Sequence, residues 1–151
     1  MQVKFTHYIL AYLLWLLTCA VAVLVAVTLR STYHVLLAFD FSQRYTARAI
    51  DDFAILILGI GLLFVIVLVE HYYRTGVQTG RLFMRFCLVT LSELGLLALL
   101  HLTQVGIAGA YQQFNRTTLW LGIGELLGAI AFGWLYRNLQ RRPRAFASKI
   151  S

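Results

Sequence analysis

Proline occurs once in this sequence, at Pro143, and cysteine twice, at Cys19 and Cys87. A single late proline leaves everything before it free of the residue that breaks helices. Two separated cysteines, neither in a CxxC pair, exclude a disulfide framework, a zinc ribbon or a thioredoxin-type centre. Each reads as a small buried hydrophobe. Acidic residues are also scarce, six against thirteen Lys and Arg. The known catalytic signatures are missing as well. There is no glycine-rich phosphate loop, no HExxH, no GxSxG and no Ser/His/Asp arrangement outside the apolar stretches. A non-enzymatic protein is expected.

What is abundant is apolar side chain. It makes up 60% of the 151 residues, against about 45–50% in soluble domains, and mean hydropathy is +0.77. An all-α polytopic membrane protein follows, with four transmembrane helices in two hairpins. The spans are expected at about residues 8–29, 53–70, 82–109 and 117–137. Each is close to or above the ~20 residues that cross a hydrocarbon core. The whole chain, 1–151, is then one transmembrane domain. The first apolar run is longer than the ~7–15 residues of a signal peptide and has no A-x-A site, so it is expected to be a retained span.

Residues 30–52 carry Arg30, Asp40, Arg44, Arg48, Asp51 and Asp52 among apolar side chains. That mix predicts an external connector with a short helix or turn lying at the interface. Asp51 and Asp52 are expected in the first turn of the second span, where the helix dipole favours anions. Residues 75–80 form a tight connection, and residues 138–151 a basic tail.

The formal charge of +7 would point to nucleic acid in a soluble protein. Here the cations sit at the ends of apolar runs, so no nucleic-acid partner is expected. Nine Lys and Arg fall on the side of both termini and four on the other. The positive-inside rule then predicts cytoplasmic termini. Arg137, Arg141, Arg142 and Arg144 of the tail are expected to bind anionic lipid headgroups.

Two carboxylates lie deep in apolar sequence. Glu93 is about eleven residues into the third span, and Glu125 about eight into the fourth. Both are expected near mid-membrane, and the two spans form a hairpin, so the pair is placed to face one another. Close carboxylates in low dielectric do not both ionise; one holds a proton. Gln104 follows Glu93 by eleven residues and falls on nearly the same helix face. Glu93, Glu125 and Gln104 therefore read as an intramembrane proton or cation relay or a polar pocket for a ligand, or as polar contacts to a neighbouring helix or subunit. His101 is a possible ligand for a haem or chlorophyll-type pigment, and His7 with His71 a possible pair at the cytoplasmic ends of adjacent spans. A hydrogen-bonded packing role is the plainer reading of each, so no cofactor and no metal is expected.

Gly124 and Gly128 form a small-xxx-small face, with Gly59 and Gly61 a similar groove in the second span. Gly124 and Gly128 are expected to face another helix, either the second span or a partner protein. Leu58-Gly59-Ile60-Gly61 recurs as Leu121-Gly122-Ile123-Gly124, and Tyr73-Arg74 as Tyr136-Arg137 at the same offset. The two hairpins thus carry a hint of internal repetition.

Tyr72-Tyr73-Arg74-Thr75-Gly76, followed by an Arg-containing third span with Thr90, resembles the phosphate-starvation-inducible protein E family. The resemblance lies in layout over roughly residues 5–142. Gly80-Arg81-Leu82 stands where that family has a Pro-Leu-Arg run, and Glu93-Leu94 where it carries an Arg. It implies a small four-span protein of a bacterial inner membrane and says little about mechanism. Taken together, the expectation is an accessory or structural subunit. Its partners would be membrane lipids and other membrane subunits or a second copy of itself. A proton or cation conductor and a pigment carrier are the alternatives.

Overall fold

The computed structural model describes residues 2–40, 44–110 and 115–141, with side chains over 5–35, 50–109 and 115–141. It is all-α: α1 Gln2–Asp40, α2 Arg44–Gln78, α3 Leu82–Ala110 and α4 Arg116–Arg141. Each contains a segment long and apolar enough to cross a membrane: Phe5–Val35, Ile50–Gln78, Leu82–Gly109 and Arg116–Arg141. This is the four-span, all-α class that the composition predicts. The large side chains that face outward are apolar, among them Leu63, Phe64, Trp120 and Trp134. Lipid is the solvent such a surface matches.

α1, α2 and α3 pack on one another, whereas α4 lies against α3 alone. The core at one end gathers Ala11 of α1, Tyr73 of α2 and Leu82 of α3, with Leu14, Trp15 and Phe86 packed around them. Tyr73 is 1% exposed, so its ring is the central plug of that end.

The connector between the first two spans differs from expectation. α1 continues through Arg30 to Asp40, and α2 already begins at Arg44. Among the described residues no separate interfacial helix stands between them. The 39 residues of α1 measure about 58 Å at ~1.5 Å each, well beyond the ~30 Å hydrocarbon thickness. The charged residues of the connector are carried on extensions of the two spans. Asp51 consequently lies well past the first turn of α2. Its carboxylate is held by α1 instead, by Arg30 Nη2 at 3.0 Å and by His34 Nε2 at 3.0 Å.

The α2–α3 connection is shorter than the sequence implies, because α2 runs on to Gln78. Gly80 takes φ +66°. Its N–H reaches the Val77 carbonyl at 3.3 Å, and the Arg81 N–H reaches the Gly76 carbonyl at 2.9 Å. This pair of bonds is a Schellman cap, and glycine is the residue that reaches its left-handed φ without steric cost. Gly76 matters for a different reason: a Cβ there would lie 3.0 Å from Arg85 Cδ and 3.3 Å from Leu82 Cα. α4 opens with Asn115, whose Oδ1 accepts the Thr117 N–H at 3.0 Å. That is an N-cap.

Antiparallel packing brings the start of α1, the end of α2, the start of α3 and the end of α4 to one end of the molecule. α1 and α2 are tied there. Trp15 Nε1 donates to the Ile66 carbonyl at 3.2 Å, and Arg74 Nη2 donates to Tyr12 Oη at 2.6 Å. Tyr12 and Trp15 are thus interhelical fasteners as well as interfacial aromatics.

Candidate polar sites within the spans

Glu93 and Glu125 do not meet. The α3–α4 register explains why. Model Cβ atoms on Gly122, Gly128 and Gly133 would touch Leu102 at 3.4 Å, Leu94 at 3.2 Å and Leu91 at 3.5 Å. Glu125 falls level with His101, and Glu93 lies eight residues earlier on α3. At ~1.5 Å per residue the two carboxylates differ in depth by about 12 Å. They also point in different directions: Glu125 faces α3, while Glu93 faces α1 and α2.

The partner of Glu125 is His101. Oε2 of the carboxyl lies 2.7 Å from Nδ1 of the imidazole, and the side chains are 18% and 14% exposed. Each side chain thereby gives the other a polar partner inside an otherwise apolar interface, which is what a low-dielectric site demands. The sequence carried a signal for it. His101 and Glu125 are equidistant from Gln113, and equidistance from the turn is what puts two residues level in an antiparallel hairpin.

Gln104 lies on the α1-facing side of α3, as its spacing from Glu93 implies. Its Nε2 donates to Thr32 Oγ1 at 2.8 Å, and Thr32 Oγ1 donates to the Thr28 carbonyl at 2.8 Å. This tie was not anticipated from the sequence. Between Glu93 and Gln104 the buried positions are Leu97, Ala98 and Leu100, so the two polar groups are separated by apolar packing.

Glu93 stands apart from both pairs. Its Oε2 is buried and has no hydrogen-bond partner among the described residues. The side chain lines a cavity of about 410 Å³ between α1, α2 and α3, walled by Ala22, Ala26, Leu58, Gly61 and Leu62. Thr18, Cys19 and Val69 close the space on its other flank.

The remaining predicted positions are dispersed. His71 is exposed on α2 and His7 is exposed on α1. Among the described residues no three His, Cys, Asp or Glu side chains converge. Gly128 faces Leu94 of α3, which corrects the expected contact with the second span or a partner. Gly59, Gly61 and Gly124 have open space where a Cβ would stand. The α4 glycines that pack on α3 are Gly122, which is buried, Gly128 and Gly133. The two LGIG copies thus occupy unlike environments. Arg137 and Arg141 are exposed at the end of α4; Arg142 and Arg144 lie outside the described residues.

At the end where α2 meets α3, Arg85 Nη1 donates to the Tyr72 carbonyl, and its guanidinium sits 4.4 Å from the Tyr72 ring centroid. Arg74 pairs along its own helix with Glu70 at 3.1 Å. Two of these residues belong to the YYRTG stretch: Tyr72 ties α2 to α3 through Arg85, and Arg74 ties α2 to α1 through Tyr12. No family model, curated protein or solved structure matches the chain.

Proposed function

We propose that the protein is a non-enzymatic accessory subunit that packs against a larger complex in a bacterial inner membrane, with both termini in the cytoplasm. The observation that supports this is the one-sided attachment of α4. Gly122, Glu125, Ala129 and Gly133 are spent on α3. The opposite side presents Trp120, Gly124, Leu127 and Ala131, all exposed. Glycine inside a helix costs about 1 kcal/mol relative to alanine. Gly122 and Gly128 offset that cost by close contact with α3. Gly124 has no such contact within this chain. A second helix, of another membrane protein or of a second copy, is the neighbour that makes a glycine useful there. The layout shared with the phosphate-starvation-inducible protein E family fits the same location.

Purification in a mild detergent tests the proposal. The wild-type chain should migrate as a complex, and Gly124→Leu should release it while leaving the helices intact. A stable wild-type monomer would overturn the reading.

The conductor reading draws less support. A relay needs polar groups in succession, and here Leu97 and Leu100 part Glu93 from Gln104, while Glu125 is engaged on another side of α3. The pigment reading rests on one observation. A carboxylate bound to one nitrogen of His101 is the arrangement that orients histidine toward a metal through the other nitrogen. An absorbance spectrum of the purified protein tests it directly.

A further inference from the structure

α1 and α2 are joined near both ends and parted in the middle. Trp15 bonds Ile66 at one end, and Arg30 with His34 grips Asp51 at the other. Between these ties the facing residues are small, Ala22 and Ala26 on α1 and Gly61 on α2, and the gap is the cavity of about 410 Å³. That volume lies in the ~300–1,000 Å³ range of small-molecule sites. All but two of its lining residues are apolar, the exceptions being Ser92 and Glu93. Ser92 spends its hydroxyl on the Leu88 carbonyl at 3.0 Å. Glu93 is the one ionisable group in the lining, and its Oε2 is buried without a partner among the described residues.

We propose that this cavity is a binding site for an amphipathic organic cation, an apolar body carrying one ammonium or comparable positive charge, with Glu93 as its counter-ion. Two features select that chemistry together. An acyl chain alone would fill the apolar walls and leave the carboxyl unpaired. An inorganic cation would pair with the carboxylate and find in the lining only one further side-chain oxygen, that of Ser92, against the roughly six or more that a hard cation takes. Among the described residues no cationic side chain pairs with Glu93; on α3, Arg85 is spent on Tyr72 and His101 on Glu125. The mid-span position favours ligands that reach it from the bilayer. The site lies wholly within one chain and does not depend on any partner subunit.

The test is equilibrium binding of radiolabelled tetraphenylphosphonium to the full-length protein in phosphatidylcholine nanodiscs, where the neutral lipid keeps background partitioning low. Saturable binding at one site per chain is expected, displaced by dodecyltrimethylammonium and not by dodecanol. Glu93→Gln should weaken it at least tenfold. Gly61→Leu should abolish it by filling the cavity; a Cβ at Gly61 has no atom within 4 Å, so this variant keeps the fold. Circular dichroism and thermal unfolding of both variants should match wild type. Non-saturable uptake, equal binding by Glu93→Gln, or displacement by dodecanol as effective as by the cation would each overturn the proposal, the last by assigning the cavity to lipid chains.

Discussion

Replacing both members of the His101–Glu125 pair with leucine should be nearly neutral, while replacing either one alone should be damaging. The contact is 2.7 Å long and both side chains are more than four-fifths buried. Removing one partner strands the other in an apolar interface, at a cost of about 1–3 kcal/mol. Removing both strands nothing and adds apolar contact between α3 and α4. Hydrogen bonds between membrane helices average about 0.6 kcal/mol and reach about 1.7. A short contact between two ionisable groups belongs at the upper end, so a coupling of about 1–1.7 kcal/mol is expected. The assay is a double-mutant cycle on His101→Leu, Glu125→Leu and the double variant. Reversible unfolding in mixed micelles supplies the free energies. Independent sites add to within about 0.3–0.5 kcal/mol. A coupling inside that margin would refute the pair as the polar tie between α3 and α4.

Gly122→Leu should separate α3 from α4, because a Cβ already lies 3.3 Å from His101 Cβ; a loss of about 1–3 kcal/mol is expected from overpacking, read in the same micelles, with Gly124→Leu unchanged as the control. Gly80→Ala should cost about 1 kcal/mol through its left-handed φ, measured as a lower unfolding midpoint with the fold retained. Thr32→Val keeps the shape and removes the acceptor of Gln104; about 1 kcal/mol of stability should go, and Thr32→Ser should keep it. Swapping charges as Arg30→Asp with Asp51→Arg should restore α1–α2 pairing that either single change weakens, as read by disulfide trapping across the two helices.

Much of the fold was legible because apolar runs report on lipid directly. The four spans and the shared face of Glu93 and Gln104 follow from length and a 3.6-residue period. The length of α1 was not legible, because charges such as Arg30 mark where hydrocarbon ends and not where a helix does. The partner of Glu125 was missed for a geometric reason. Depth counted from each interface placed Glu93 and Glu125 together, whereas a hairpin sets its register from the turn. His101 satisfies that count about Gln113, and Glu93 does not. The same rule covers α1 and α2, where Tyr12 with Arg74 and Arg30 with Asp51 straddle residues 41–43. Glycine roles were the least legible. GxxxG spacing marks a face that permits close approach, and only contacts reveal which faces are already taken.

The His101–Glu125 contact also bears on how the molecule responds to voltage. A unit charge that crosses the whole membrane gains or loses about 2.3 kcal/mol per 100 mV. A proton passing between Nδ1 and Oε2 moves roughly 1 Å in a hydrocarbon layer of about 30 Å, so it samples about one-thirtieth of the field. The work is on the order of 0.1 kcal/mol per 100 mV, below thermal energy. The electrical potential across a membrane therefore has little leverage on this contact.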